Sequence, residues 1–232
     1  MTAAASDLVA LAKPRITALV VFTTAIGLWL APHGLRPLTV ALTLVGTVLI
    51  VAAANVLNMY LERDSDALMA RTMNRPLPAH RMEIGALPGA IPPLIGWTAA
   101  TERLDLPGVL LFAVMFLWQV PHFLAITLFR KEEYARAGLV VQPNEPGGER
   151  EARANIVRYT VALVAVSLLF VPIGIARGAY LASALLLGGV FLGYAVAGLR
   201  QAAGRRWARN LFLLSLIYLP LLFGALLLDR RV

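Results

Sequence analysis

Polar and apolar residues segregate along this chain. Between its Lys, Arg, Asp and Glu residues lie seven charge-free stretches: 16–35, 37–61, 84–101, 106–129, 159–176, 178–199 and 210–228. Each has 18 to 25 residues, and a membrane-crossing helix needs about 20 mostly apolar ones. Helices of a water-soluble bundle show polar residues every third or fourth position, and these stretches do not. The pattern therefore predicts an all-α, polytopic membrane helix bundle of about seven spans, in one domain over 1–232. The first span follows Lys13 and Arg15, as a signal peptide would. It lacks a small-residue cleavage site and six more spans follow, so it reads as retained. Pro88, Pro92 and Pro93 predict an irregular third span.

The gaps between spans test this topology. Numbered alternately, one set holds 16 of the 21 basic residues and the other 5. The basic side of a membrane protein faces the cytoplasm. That places the N-terminus inside and the C-terminus outside, in a bacterial inner membrane. The long inner loops are 62–83 and 130–158.

Composition sharpens this picture. At 59% hydrophobic and 15% charged, the chain departs from soluble domains, which run nearer half and a quarter. The same richness excludes disorder. Zero cysteines exclude disulfides, iron–sulfur clusters and thiolate nucleophiles. The net charge of +8 is mostly topological, so a nucleic-acid partner is not expected.

Two polar clusters interrupt the apolar pattern. The second span ends in Asn58-Met-Tyr-Leu-Glu62-Arg63-Asp64-Ser-Asp66. Asn58, Glu62 and Asp66 stand at i, i+4 and i+8, drifting about 40° per step around a helix. One amide and two carboxylates then form a stripe whose hard oxygens suit Mg²⁺, and a loop bend could bring in Asp64. Arg71 and Arg75 follow, ahead of Pro76, and arginine forks suit phosphate oxygens. The array reads as a metal-bridged diphosphate site. The plainer reading is a solvated loop of mixed charge, against which a polar group inside a span is costly.

The second cluster is Trp118-Gln119-Val-Pro121-His122-Phe123, followed by Arg130-Lys131-Glu132-Glu133-Tyr134. An ionisable residue in a span is a functional candidate, although a core histidine bonded to a neighbouring helix would look the same. Glu132 and Glu133 read either as a second acidic patch opposite the first or as loop charges. Trp97, Tyr180, Trp207 and Tyr218 read as packing or interface aromatics.

These residues resemble the UbiA superfamily of intramembrane prenyltransferases, most closely its haem O synthase (protohaem IX farnesyltransferase) branch. The likeness starts at Leu11-Ala-Lys13-Pro14-Arg15-Ile16. It runs through the Asn58–Met69 segment, Arg71-Thr72, Arg75-Pro76-Leu77-Pro78, Pro88-Gly-Ala-Ile-Pro92-Pro93, Trp118-Gln-Val-Pro121-His122-Phe123 and Tyr134-Ala-Arg-Ala-Gly138. It implies a bundle of about nine spans around a cavity. It also implies Mg²⁺-dependent transfer of farnesyl from farnesyl diphosphate to a vinyl group of haem B, giving haem O and diphosphate.

By this resemblance Asn58, Glu62 and Asp66 are the catalytic motif, with Glu62 where Asp is usual. Asn58, Glu62, Asp64, Asp66, Glu132 and Glu133 are metal ligands. Arg63, Arg71, Arg75, Arg130 and Lys131 hold diphosphate. Trp118, His122, Phe123 and Tyr134 line the haem and substrate cavity. The implied partners are farnesyl diphosphate, haem B, the lipid bilayer, and a haem A synthase or oxidase assembly factors.

One departure is large. Relatives carry two further spans where Arg81 and Gly85 stand four residues apart, so roughly 50 residues are missing by the length of two spans with their loops. Removing two spans preserves the alternation of sides. The gap leaves open a catalytically impaired haem-binding or assembly protein derived from the family. A small transporter is a further alternative, without the paired unwound helices or inverted repeat expected of one.

Overall fold

The computed structural model describes residues 14–31, 36–61, 86–136, 141–200 and 203–230, and for 14–15, 52–61 and 86–88 the backbone alone. Its elements are α1 (Pro14–Leu30), α2 (Pro37–Leu61), α3 (Ala86–Thr101), α4 (Leu106–Phe129), α5 (Lys131–Arg136), a 3₁₀ turn (Gln142–Asn144), α6 (Gly148–Leu168), α7 (Gly178–Ala197) and α8 (Arg205–Leu228). Among the described residues the fold is all-α, with one isolated β-bridge between Ala176 and Arg230.

α4 coincides end to end with its charge-free stretch, and α2 starts where its stretch starts, at Pro37. α3 is a continuous helix despite Pro92 and Pro93, where the sequence predicted irregularity. α6 differs most. It starts at Gly148, well before the charge-free stretch, and ends at Leu168. Glu149 and Glu151 in its first turn favour the positive helix N-terminus, so the helix begins in the charged segment. α4, α7 and α8 are long and apolar enough to cross a membrane, while Ile16–Leu30 and Pro37–Val51 are shorter apolar segments.

The chain divides into two compact bodies. In the first, α1 packs against α3 and α2. Small residues make this approach close. A Cβ on Gly27 would overlap the carbonyl of Pro93, and one on Gly96 would overlap that of Thr24. The buried hydroxyls of Thr23 and Thr24 donate to Val20 O at 2.9 and 3.0 Å, which satisfies them within their own helix.

In the second body α4 packs on α6 and α8, and α7 packs on the same two helices. The result is a closed ring of four. Its centre is filled by residues such as Leu111, Ile156, Phe191 and Leu211. At one end Asp229 Oδ2 accepts from the backbone N–H groups of Arg177 (2.9 Å) and Tyr180 (2.7 Å), and so caps the N-terminus of α7. Nearby, Tyr180 Oη donates to Ser167 O at 2.8 Å. Leu185, Leu186 and Val190 of α7 and Ile217 and Leu221 of α8 are exposed. An apolar outer face of this kind suits contact with lipid.

Candidate functional site

The sequence places Trp118, His122 and Ala125 on one face of α4, and all three are buried. That face meets α8 at Ser215. Trp118 Nε1 donates to the backbone carbonyl of Ser215 at 2.8 Å. His122 Nδ1 lies 2.7 Å from Ser215 Oγ, and the hydroxyl itself donates to Phe212 O at 2.6 Å. Rings surround the imidazole. Trp118 stacks on it at 4.7 Å, Phe212 lies tilted at 4.9 Å, and Phe123 meets it edge-on at 5.6 Å. His122 is thus a buried polar group caged by three aromatic rings. Gln119, one turn beyond Met115, donates to its carbonyl at 3.2 Å.

The charged residues gather at one end of the same body. Arg130 Nη1 contacts both oxygens of Glu133, at 2.8 and 2.6 Å, and its guanidinium lies 5.2 Å from the Phe129 ring centre. Lys131 Nζ donates to Glu149 Oε2 at 2.7 Å, and Arg153 Nη2 donates to the other oxygen of Glu149. The bond from Lys131, then that from Arg153 and their charges, hold the Glu149 carboxyl below the usual value of 4.5 against a partial burial penalty. A cleft of about 170 Å³ opens here, lined by Lys131, Glu132, Glu149, Arg153, Arg205 and Trp207 among others. Three cations against two carboxylates suit an anionic group.

The structure brings together Trp118, His122 and Phe123 as one cluster, and Arg130, Lys131, Glu132 and Glu133 at one end of the body. Tyr134 is buried on α5. Glu133 is engaged by Arg130. Among the described residues no group of three or more His, Asp or Glu side chains forms a metal cage. Asn58 lies on the α2 backbone. Glu62, Arg63, Asp64, Asp66, Arg71 and Arg75 lie outside the described residues.

Sequence reasoning missed Ser215, Phe212, Glu149 and Arg153. Ser215 had a visible signal, a lone hydroxyl inside an apolar run. Arg153 stood among the topological charges, and nothing in the sequence marked its partners. Trp207 does pack: its indole donates to Tyr194 O at 2.9 Å.

Comparison with known proteins gives these features a family. The profile of the UbiA prenyltransferase family matches residues 20–84 and 83–217. The chain belongs to the UbiA prenyltransferase family, a family of enzymes, and is an integral membrane protein. Among particular relatives, it is 44% identical over 278 aligned residues to the protoheme IX farnesyltransferase of Sorangium cellulosum, covering 90% of this chain and 99% of the relative. It is 44% identical over 280 residues to that of Myxococcus xanthus, covering 97% and 95%. A third such relative, from an Anaeromyxobacter species, is 43% identical over 281 residues, covering 98% and 94%. A solved structure from work on digeranylgeranylglyceryl phosphate synthase in membranes superposes with a TM-score of 0.79 at 15% identity, covering 97% of each chain. That likeness bears on the fold.

Proposed function

We propose that the chain is a haem O synthase. It transfers the farnesyl group of farnesyl diphosphate to a vinyl group of haem B, with addition of water, giving haem O, diphosphate and a proton. The observation that carries this reading is the run of relatives named protoheme IX farnesyltransferase, 34 to 44% identical over 90% or more of this chain. The cage around His122 supports it, since an aromatic wall suits a porphyrin and shields an allylic cation from water.

In this reading Arg63, Arg71, Arg75, Arg130 and Lys131 bind the diphosphate and stabilise it as it leaves. Mg²⁺, when bound, adds further neutralisation of the leaving group. Asn58, Glu62, Asp64 and Asp66 would hold it, with Glu132 and Glu133 as a second acidic patch. The protein sits in the bacterial inner membrane with its N-terminus in the cytoplasm, as the arginine asymmetry supports.

A second reading has one specific support. The family profile matches in two segments that meet at 83–84, and the three alignments above are each longer than the 232-residue chain. We infer an internal deletion near 81–85, which would leave a haem-binding relative with impaired catalysis. The test is conversion of haem B to haem O by the purified chain with farnesyl diphosphate and Mg²⁺, followed by mass spectrometry. Haem O is expected, and Asp66→Ala abolishes it. No product from this chain, with product once two spans are inserted at 81–85, would favour the impaired relative.

A further inference from the structure

The cage around His122 fixes more than the position of the ring. A backbone carbonyl only accepts hydrogen bonds. Ser215 has one hydroxyl proton, and it goes to Phe212 O at 2.6 Å. The 2.7 Å bond between Ser215 Oγ and His122 Nδ1 must then be donated by the imidazole. His122 is thereby held as the Nδ1–H tautomer, and Nε2 carries a lone pair. That nitrogen has no partner among the described residues. It is not sealed in either, since the fully buried, unpartnered side-chain polar atoms among them are Arg153 Nε and Tyr218 Oη.

A neutral imidazole with one N–H donated to a fixed acceptor and the other nitrogen bare is the arrangement of a metal-ligating histidine. The donated bond sets tautomer and ring orientation and raises ligand basicity. Here the acceptor is a hydroxyl backed by a carbonyl. Trp118 Nε1 bonds the carbonyl of the same Ser215 at 2.8 Å, so two side chains of α4 are keyed to one residue of α8. Trp118, Phe212 and Phe123 make the surroundings of the imidazole apolar and aromatic. Aromatic surroundings suit a metal carried in a flat, conjugated macrocycle.

We propose that Ser215 is a positioning residue that holds His122 in the Nδ1–H tautomer, so that Nε2 ligates the iron of a haem substrate. This rests on the haem O synthase reading and names how that site holds its tetrapyrrole. No covalent step is assigned to His122 or Ser215.

The experiment is titration of haem B into the purified full-length chain. Affinity is read from the Soret band, and the iron–imidazole stretch from resonance Raman of the ferrous complex. Iron-free protoporphyrin IX serves as a second probe, because it needs no axial ligand. The wild-type chain should show the stretch. His122→Ala should lose it and bind haem B more weakly, while retaining protoporphyrin IX affinity, which also reports that the variant folds. Ser215→Ala should move the stretch to lower frequency and weaken haem B binding by about 10- to 100-fold, the usual cost of removing such a partner. Ser215→Thr should restore both. An unchanged stretch and affinity in His122→Ala, or in Ser215→Ala, would overturn the proposal while leaving the farnesyltransferase reading intact if haem O still forms. Absence of saturable haem B binding by the wild-type chain would remove both.

Discussion

Arg153 ties the charged end of the second body together, and its removal gives a sharp test. Its side chain is 13% exposed. Nη1 donates to Gly198 O (3.2 Å) and Arg200 O (3.0 Å), and Nη2 donates to Ala203 O and to Glu149. The guanidinium also lies 5.8 Å from the Trp207 ring centre. Arg153→Met keeps the stem and deletes the fork. A bond from a charged donor nets about 1.5–3 kcal/mol, and near the surface water recovers part of it, so about 1 kcal/mol for each of the three carbonyls is reasonable. The cation–π contact adds about 0.5 kcal/mol. The Glu149 pair adds little to the loss, because Lys131 still holds that carboxylate. The total is about 3–4 kcal/mol, or roughly 10 °C in melting temperature for a chain of this size.

The control is Arg158→Met on the same helix. Arg158 is 63% exposed and pairs with Glu151 at 2.7 Å, an exposed pair worth about 0–1 kcal/mol. Thermal unfolding of the two variants in detergent should therefore separate by several degrees. Amide exchange at Gly198 and Leu199 should rise in Arg153→Met alone. Equal melting temperatures for the two variants would refute the reasoning.

Three further outcomes are expected. Gly96→Ala should destabilise by about 1–3 kcal/mol, because its Cβ meets a backbone carbonyl that cannot move without parting α1 from α3. Gly46→Ala meets nothing within 4 Å and should be neutral or stabilising by up to about 1 kcal/mol, so a melting curve that ranks the two the other way contradicts the packing. Asp229→Ala should cost about 1–2 kcal/mol and speed amide exchange at Arg177 and Tyr180, the two N–H groups it caps. Glu149 has a carboxyl held below 4.5 in the folded chain, so the folded state binds its proton less readily than the unfolded one. Its stabilisation is full above pH 4.5 and is lost as pH falls below it. The melting-temperature gap between wild type and Glu149→Gln should close on acidification, and a gap constant from pH 7 to 3.5 would contradict that.

The parts of the fold legible in the sequence are those a local pattern decides. The charge-free runs that open at Pro37 and Leu106 became α2 and α4 with the same starts, because Pro37 and Pro107 suit the first turn of a helix. α6 was misjudged at its start. The charge count finds where charged residues stop, whereas a helix starts where backbone bonding starts, and Gly147 with φ 75° sets that start within the charged segment. His122 was legible as a candidate from its cost in an apolar span. Ser215 was not legible as its partner, because the two are 93 residues apart and a single serine hydroxyl can also be satisfied within its own helix.

The way these helices hold together explains that division. Lipid is as apolar as leucine, so burial of Leu and Val does not choose which helices pair. Close backbone contact and hydrogen bonds do. In the first body the choice is made by Gly27 and Gly96, whose missing side chains let carbonyls approach. In the second it is made by aromatic N–H and O–H groups that reach carbonyls of other helices: Trp118 to Ser215, Trp207 to Tyr194, Tyr180 to Ser167. Each donor is conspicuous in the sequence and each acceptor is invisible there, since every residue has a carbonyl. A reading from sequence therefore recovers which side chains matter in such a bundle and loses what they touch. The pairing of α4 with α8 through Ser215 is the case where that loss concealed the chemistry of the candidate site.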